Sequence, residues 1–215
     1  MSAGGSRTPR AKAGPDKRRL ILDAAVRVFA RQGFHACRVA DIADEAGVAY
    51  GLVYHYFDSK DEVLDTLFLE RWNVMLERIR EVDAEQIPVR EKLQAIASFI
   101  IDSYHHDPDL MKVIIVEVTR AANSFGETHI GKIREAYDLI GGMIAKAQAE
   151  GVFKPEIEAR FAAMAFYGAI EQLLTGWIFG LLPQDEEQFE RAKWLVVEAV
   201  CGGLETGAPA RASIS

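Results

Sequence analysis

Cysteine is scarce in this sequence, and its placement excludes two classes of site. The two cysteines, Cys37 and Cys201, lie far apart and form neither a Cys-x-x-Cys motif nor a Cys/His cluster. Isolated thiols of this kind are typical of reduced cysteines in a cytoplasmic protein, so we expect no disulfide and no metal ligands. The polar N-terminus lacks the apolar segment of a secretory signal, which also favours a cytoplasmic location.

Motifs of common enzyme classes are missing as well. The sequence has no Gly-x-Ser-x-Gly nucleophile motif, no phosphate-binding P-loop and no paired catalytic cysteine and histidine. A di-iron centre in a helical protein needs repeated Glu-x-x-His, which is absent too. The pair His105–His106 beside Asp107 and Asp109 is interpreted as a hydrated helix junction. We therefore predict no catalytic residue, no cofactor and no enzymatic activity.

Positive charge is limited overall but concentrated at one end of the chain. The formal net charge is −7, yet residues 1–60 carry +4, which leaves −11 on the remainder. A basic N-terminal part followed by an acidic remainder is expected when only one end of a protein contacts nucleic-acid phosphates. The hydrophobic content of 49% is sufficient for an ordinary buried core.

Strand-like alternation of apolar and polar residues is absent, and helical spacing takes its place. Apolar residues recur every three or four positions from Pro15 almost to Gly207. The sequence therefore predicts an all-α fold of about nine helices, with a flexible basic arm at 1–14 and a disordered tail at 208–215. Later helices are expected to begin near Pro88, Pro108, Pro155 and Asp185, and one helix to span about 127–149.

Three closely spaced stop and start signals divide the N-terminal part into short helices. Gly33 ends the first helix, and Gly47 ends a second of barely two turns that begins near Val39. A third short helix follows, and a capping box of Ser59 and Glu62 opens a fourth of about five turns. Two short helices joined by a glycine-containing turn form a helix-turn-helix, whose second helix fits the DNA major groove.

One face of the third helix is too polar for the small core beneath it. Tyrosine and histidine there can bond phosphates or base edges, and Leu52 can contact a thymine methyl. Arg38 and Lys60 lie at helix N-termini, which favour phosphate. Tyr56 and Phe57 are instead assigned to the core. The predicted DNA contacts are Arg38, Tyr50, Gly51, Leu52, Tyr54, His55 and Lys60.

The run IADEAGVAYGLVYHYFDSK resembles the DNA-binding signature of the TetR/AcrR family of transcriptional regulators. The resemblance implies a repressor with a three-helix DNA-binding domain at 15–58 and a ligand-binding and dimerisation domain at 59–207. It also implies that all the predicted contacts except Leu52 meet double-stranded operator DNA. The sequence departs from the family pattern at Arg38, Ala49, Tyr50 and Leu52, so it does not predict the operator sequence.

The segment 161–182 is apolar on every side of a helix. Its length is that of a membrane span, but Glu171 and Gln172 at its centre disfavour insertion. A helix that is apolar all round must otherwise be covered by protein, which a second copy can provide. We therefore predict no membrane association and a homodimer. The predicted interface comprises Gly168, Glu171, Gly176, Trp177, Leu195, Ala199 and Val200.

Bulky apolar and aromatic side chains in the middle helices are candidates for an effector cavity, although each can also be ordinary core. The predicted lining is Trp72, Met75, Phe99, Tyr104, Met111, Phe166 and Tyr167, with Arg120 and Asn123 supplying polar groups. The segment 150–177 resembles repressors of fatty-acid degradation that respond to long-chain acyl-CoA, and this implies an acyl-CoA effector with Arg120 near a CoA phosphate. Two alternatives stay open: an aromatic or cationic effector, and a helical acyl-CoA-binding protein without a DNA role.

Overall fold

The computed structural model describes residues 16–117 and 127–206, and these residues are almost entirely helical. The predicted arm and tail lie outside them. Nine α-helices occur in the described ranges, as the sequence predicts, and α6 continues into a π-helical turn at Val113–Glu117. The helices are α1 (Lys17–Gln32), α2 (Val39–Ala46), α3 (Tyr50–Tyr56), α4 (Lys60–Ala84), α5 (Val89–His106), α6 (Pro108–Lys112), α7 (Glu127–Ala149), α8 (Ala159–Ile178) and α9 (Glu186–Leu204).

The chain divides into two compact units, one ending at Val63 and the other beginning at Leu64. This division falls inside α4, whereas the sequence placed the domain boundary just ahead of that helix, between residues 58 and 59. In the first unit, α1 and α2 end at Gly33 and Gly47, whose positive φ angles of 80° and 64° favour glycine. Gly47 keeps α2 short, and α2 packs against both α1 and α3.

A pair of arginines ties α1 to α2. The Glu45 carboxylate accepts a hydrogen bond from Arg27 Nε at 2.7 Å and another from Arg31 at 3.2 Å. The hydrogen bond from Arg27, followed by that from Arg31, lowers the pKa of Glu45 below its ordinary value. Glu45 therefore links α2 to α1 through two charged hydrogen bonds.

The second unit is organised around an aromatic cluster between α5, α8 and α9. The Trp177 ring lies 4.7 Å from that of Phe189 and is stacked on Tyr104 at 5.8 Å. Its indole Nε1 donates a hydrogen bond to the Pro183 carbonyl at 3.0 Å. Burying each large apolar side chain contributes about 1.5–3 kcal/mol, so these rings are a main source of stability for the unit.

The start of α8 differs from the sequence-based prediction. The helix begins at Ala159 and not near Pro155, because the preceding residues form a turn. The Gln148 side-chain amide donates hydrogen bonds to the carbonyls of Lys154 at 2.7 Å and Ile157 at 2.6 Å. These bonds hold the segment in a non-helical path, and its strand-like bridge between Phe153 and Glu205 was not predicted either.

Helix α8 has two distinct sides. Its inner side is fully buried, whereas Phe161 and Met164 near its start are exposed. Among the described residues, no helix is long and apolar enough to cross a membrane. The apolar outer side of α8 is thus a surface feature of the protein.

Candidate functional site

Two tyrosines one helical turn apart form the outer face of α3. Tyr50 is 53% exposed and Tyr54 is 44% exposed, and their hydroxyls lie 3.2 Å apart in a hydrogen bond. Their rings meet edge to face with centroids 5.2 Å apart. The hydrogen bond with Tyr50 raises the pKa of Tyr54. Phenol hydroxyls can both donate and accept hydrogen bonds, and here they lie at the surface.

The next two aromatic residues extend this face. His55 is exposed, and its ring centroid lies 5.0 Å from that of Tyr56. Tyr56 is also exposed, which corrects its assignment to the core. In a helix of seven residues only one side is covered, and Val53 and the following Phe57 occupy it. Phe57 is buried as predicted, with the Arg18 guanidinium 5.5 Å from its ring centroid.

Gly51 lies on the same helix without any internal reason to be glycine. It is exposed, its φ angle is not positive, and a Cβ atom added to it would meet no atom within 4 Å. Leu52 beside it is half-buried. A missing side chain on an exposed helix leaves room for another molecule to approach the backbone closely.

Lys60 is held inside the first unit. Its ammonium donates hydrogen bonds to the carbonyls of Phe34 at 2.6 Å and Cys37 at 2.9 Å, and it lies 4.5 Å from the Phe34 ring centroid. The side chain therefore closes the loop between α1 and α2, whereas the sequence prediction had it reaching outward to a phosphate. The Lys60 side chain is directed inward because these two carbonyls accept its hydrogen bonds, and the sequence pattern does not reveal that they lie within reach.

Arg38 is the residue immediately before α2, and its side chain is 82% exposed. Its backbone N–H donates to the Asp41 carboxylate at 2.7 Å, and its guanidinium lies 3.4 Å from the same group. The backbone hydrogen bond is the main cause that lowers the pKa of Asp41. Arg38 is thus a surface cation positioned at the N-terminus of a helix.

The residues predicted to line an effector cavity fall into separate groups. Trp72 and Tyr167 are neighbours, with ring centroids 6.0 Å apart. Tyr104 belongs instead to the aromatic cluster around Trp177, and Phe99 is half-buried in α5. Met75, Met111 and Phe166 are buried. The predicted polar residues Arg120 and Asn123 lie outside the described residues.

Two charged side chains that the sequence analysis did not assign to this region lie beside Trp72 and Tyr167. Arg71 is half-buried on α4 with its guanidinium 5.1 Å from the Phe99 ring centroid, and burial lowers its pKa. Glu171 on α8 is half-buried, and burial raises its pKa. The spacing gave a signal for Arg71, which lies within the apolar series of α4, four residues after Leu67.

Of the residues predicted for the dimer interface, the structure places some at the surface and buries others. Gly168, Leu195 and Ala199 are exposed, and Val200 is half-buried. Gly176 and Trp177 are a correction, because both are buried within the chain. A Cβ on Gly176 would lie 2.8 Å from a Leu182 methyl, and Trp177 is only 2% exposed. Glu171 is half-buried in α8, and burial first and its charge second raise the pKa values of Tyr137 and Tyr167.

An apolar outer face remains on α8, α9 and their connection. We define this outer face by its exposed large side chains, which are Phe161, Met164, Phe179, Leu181, Trp194 and Leu195. A groove of ≈ 490 Å³ runs along it beneath Trp194 and Leu195, with Leu173 and Leu182 among its walls. Exposed large apolar side chains in this number are typical of a protein interface.

Comparison with known families accounts for both units. Residues 21–67 match the model of the bacterial regulatory proteins of the tetR family, and residues 68–190 match that of the YsiA-like protein C-terminal region. The chain belongs to the TetR family. It is therefore a TetR transcription regulator and not an enzyme, as the sequence predicted.

Similar TetR proteins are known from bacilli. The fatty acid metabolism regulator protein of Bacillus subtilis (strain 168) is 32% identical over 159 residues, covering 74% of this chain and 81% of the relative. The structure of the fatty acid degradation regulator FadR from Bacillus halodurans is 28% identical with a TM-score of 0.79, covering 89% of this chain and 97% of that one. FadR from Bacillus subtilis in complex with stearoyl-CoA is 28% identical with a TM-score of 0.75, covering 86% and 98%.

Proposed function

We propose that this TetR regulator is a repressor that binds operator DNA through α2 and α3 and releases it when a long-chain acyl-CoA binds the second unit. The proposed DNA binding rests on the exposed face of α3. It presents two tyrosine hydroxyls, an exposed histidine and an open glycine, none of which the first unit needs for its own core. Such a helix matches the recognition helix of a helix-turn-helix.

The residues of the first unit have different proposed roles on DNA. Tyr50 and His55 read base edges, while Tyr54 and Arg38 bond phosphates, which orient the protein without carrying sequence information. Gly51 lets the helix backbone approach the groove, and Leu52 borders it. Lys60 supports this surface indirectly, because its hydrogen bonds to two backbone carbonyls hold the loop between α1 and α2.

A second copy of the chain is proposed to cover the apolar outer face on α8 and α9. Two copies related by a two-fold axis present two α3 helices, so the operator should contain two inverted half-sites. Footprinting of the regulator on its own promoter region tests this arrangement. We expect protection of two half-sites by a dimer, and protection of one half-site by a monomer contradicts the proposal.

The acyl-CoA part is supported by the relative that was solved with stearoyl-CoA and by the apolar interior of the second unit. A ligand releases DNA only if it binds the DNA-free conformation of the regulator more tightly than the DNA-binding conformation. The free energy that couples ligand binding to DNA binding is usually about 1–3 kcal/mol. The signal can pass along α4, since this helix begins in the first unit and continues into the second.

Titration of the regulator–operator complex with acyl-CoAs of increasing chain length tests the effector. We expect release by long chains and none by free CoA. By reciprocity, operator DNA should weaken acyl-CoA binding by the same factor. Failure of every acyl-CoA to release the DNA rejects this effector class.

A cationic or aromatic effector is the second candidate, and Glu171 is the observation that favours it. A half-buried carboxylate beside Tyr137 and Tyr167 is a suitable partner for an aromatic cation. Release of DNA by a hydrophobic cation, with no response to acyl-CoA, supports this candidate over the first.

A further inference from the structure

The hydroxyls of Tyr50 and Tyr54 are hydrogen-bonded to each other at the surface of α3. Their oxygens lie 3.2 Å apart, and the two rings meet edge to face with centroids 5.2 Å apart. Neither hydroxyl has another hydrogen-bond partner among the residues that the structure describes. The two tyrosines therefore form a short hydroxyl chain, and each end of this chain is open to another molecule.

The hydroxyl chain contains two protons, and only one of them can lie between the two oxygens. Each phenol donates one hydrogen bond, and its oxygen can also accept. When one proton lies in the bond between the tyrosines, the other points away from one end, and the opposite end offers only an acceptor. The hydroxyls can rotate, so either direction is possible until a bound group selects one.

A DNA phosphate selects the direction, because its oxygens accept hydrogen bonds and donate none. When Tyr54 contacts a phosphate, as proposed above, its hydroxyl donates to that phosphate. The Tyr54 oxygen then accepts from the Tyr50 hydroxyl, and the Tyr50 oxygen is left as an acceptor only. Hydrogen bonds in a chain that ends at a charged group strengthen one another, which stabilises this direction.

The Tyr50 oxygen then requires a donor on the base that it faces. Tyr50 is the first residue of α3, and residues near the beginning of a recognition helix contact base edges. In the major groove, only adenine N6 and cytosine N4 are donors, whereas guanine and thymine present acceptors alone. An oxygen restricted to accepting is thus matched by adenine or cytosine and opposed by guanine or thymine.

From the hydroxyl chain, and resting on the proposed DNA contacts of α3, we infer that Tyr50 selects adenine or cytosine on the strand it faces and that Tyr54 imposes this selection. Tyr50 is the specificity-determining residue, and Tyr54 is a positioning residue that acts through it. Every base pair places an exocyclic donor on one strand and an exocyclic acceptor on the other. The tyrosines therefore separate A·T from T·A and C·G from G·C, but they tolerate the exchange of A·T for C·G.

The test measures base preference at each position of the operator half-site. Selection from random duplexes identifies the half-site bound by the full chain, and gel-shift competition then compares all four base pairs at each position. The position that Tyr50 contacts is the one whose preference changes in Tyr50→Phe, which removes only the hydroxyl. There the wild type should bind adenine or cytosine about tenfold more tightly than guanine or thymine, as expected for one mismatched base pair.

Tyr54→Phe distinguishes the hydroxyl chain from two independent contacts. Loss of a phosphate contact alone weakens binding to all sequences about equally. Tyr54→Phe should weaken binding in this way and should also remove the preference at the Tyr50 position, since the Tyr50 hydroxyl is then free to donate to guanine or thymine. Measurements at low salt keep the weakened complexes within range, and thermal melting establishes that each variant folds.

Arg38→Gln and Tyr56→Phe are the matched controls. Arg38 is an exposed cation with a proposed phosphate contact, and its guanidinium lies beside Asp41. Tyr56 is an exposed tyrosine of the same helix, and its ring contacts His55. Neither residue belongs to the hydroxyl chain. Both variants should therefore keep the wild-type base preference at the Tyr50 position, whatever their overall affinity.

The outcomes separate this inference from the proposed function. A regulator that binds its operator but prefers guanine or thymine at the Tyr50 position overturns the inference and leaves DNA binding intact. The same holds if Tyr54→Phe keeps the wild-type preference, or if no position responds to Tyr50→Phe. A chain that selects no duplex overturns both. Loss of one preference in Tyr50→Phe and Tyr54→Phe, and in neither control, supports the hydroxyl chain.

Discussion

The Lys60 side chain shows how one cation can support a surface without being part of it. Its two hydrogen bonds to the Phe34 and Cys37 carbonyls fix the loop that precedes α2. Replacing Lys60 with Met leaves both carbonyls without this donor, and the free energy of unfolding of the first unit should fall by about 1–3 kcal/mol. Thermal melting measures this loss, and Lys17→Met, which changes an exposed lysine at the start of α1, is the control.

The same variant distinguishes support from direct contact with DNA. A lysine that binds phosphate lowers the slope of log affinity against log salt by about one when it is removed. Because the Lys60 ammonium is directed inward, Lys60→Met should keep the wild-type slope at temperatures where it is folded. A clearly smaller slope contradicts the inward role.

Gly51 provides a test in which folding and binding should change in opposite directions. Nothing in the first unit would meet a Cβ at this position, and alanine is favoured over glycine in a helix by about 0.8–1 kcal/mol. Gly51→Ala should therefore melt no lower than the wild type, yet bind operator DNA at least about tenfold more weakly if the backbone approaches the groove. Gel-shift titration together with melting measures both effects.

Gly142→Ala is the matched control for this change. Gly142 is also an exposed helical glycine with no atom within 4 Å of a Cβ, but it lies on α7 in the second unit. It should gain similar stability and leave operator affinity unchanged. Wild-type affinity in Gly51→Ala would show that α3 does not approach DNA at this residue.

At the scale of elements, the contact between α1 and α2 depends on the charge of Glu45. Its hydrogen bonds with Arg27 and Arg31 lower its pKa in the folded chain below the ordinary 4.5. A lowered folded pKa means that the carboxylate stabilises the first unit fully above that ordinary value and loses this effect as the pH falls through the folded pKa. Glu45→Gln should thus be less stable than the wild type at neutral pH, with the difference vanishing in acid.

Melting temperatures of the two proteins between about pH 7 and about pH 3 measure this convergence. Asp44→Asn, an exposed carboxylate on the same helix without an ion pair among the described residues, should show a far smaller difference at neutral pH. A difference for Glu45→Gln that persists in acid would mean that packing and not charge carries the effect.

Helix limits could be predicted wherever the chain itself marks them. Gly33 and Gly47 end α1 and α2 because their backbone conformations favour glycine, and Asp185 caps α9 with its own side chain. The start of α8 could not be predicted, since it depends on the distant Gln148 amide. The inward direction of Lys60 depends in the same way on carbonyls contributed by another segment.

For the molecule as a whole, the outer face on α8 and α9 is the feature that a single chain leaves unexplained. Trp194 is 60% exposed and borders the groove of ≈ 490 Å³. Placing a charge there should disrupt an apolar interface, because an unpaired charge is costly to bury. Trp194→Glu should therefore sediment as a monomer at micromolar concentration and bind a two-half-site operator much more weakly.

Val152→Glu is the control, since Val152 is an exposed apolar residue outside the outer face. It should remain dimeric and bind DNA normally. A dimeric Trp194→Glu would place the interface elsewhere. The sequence could predict that α8 needs a cover but not which residues face outward, because Gly176 and Trp177 share its apolar character and are buried instead.

The three tryptophans occupy three different surroundings, and this gives the protein its own optical reporters. Trp194 is exposed on the outer face, Trp177 is buried in the aromatic cluster, and Trp72 lies beside Tyr167. Self-association should shift the emission of Trp194 toward the blue, whereas an effector beside Trp72 should alter its intensity. Variants that keep one tryptophan at a time would therefore let a single fluorimeter follow assembly and ligand capture separately, without any attached dye.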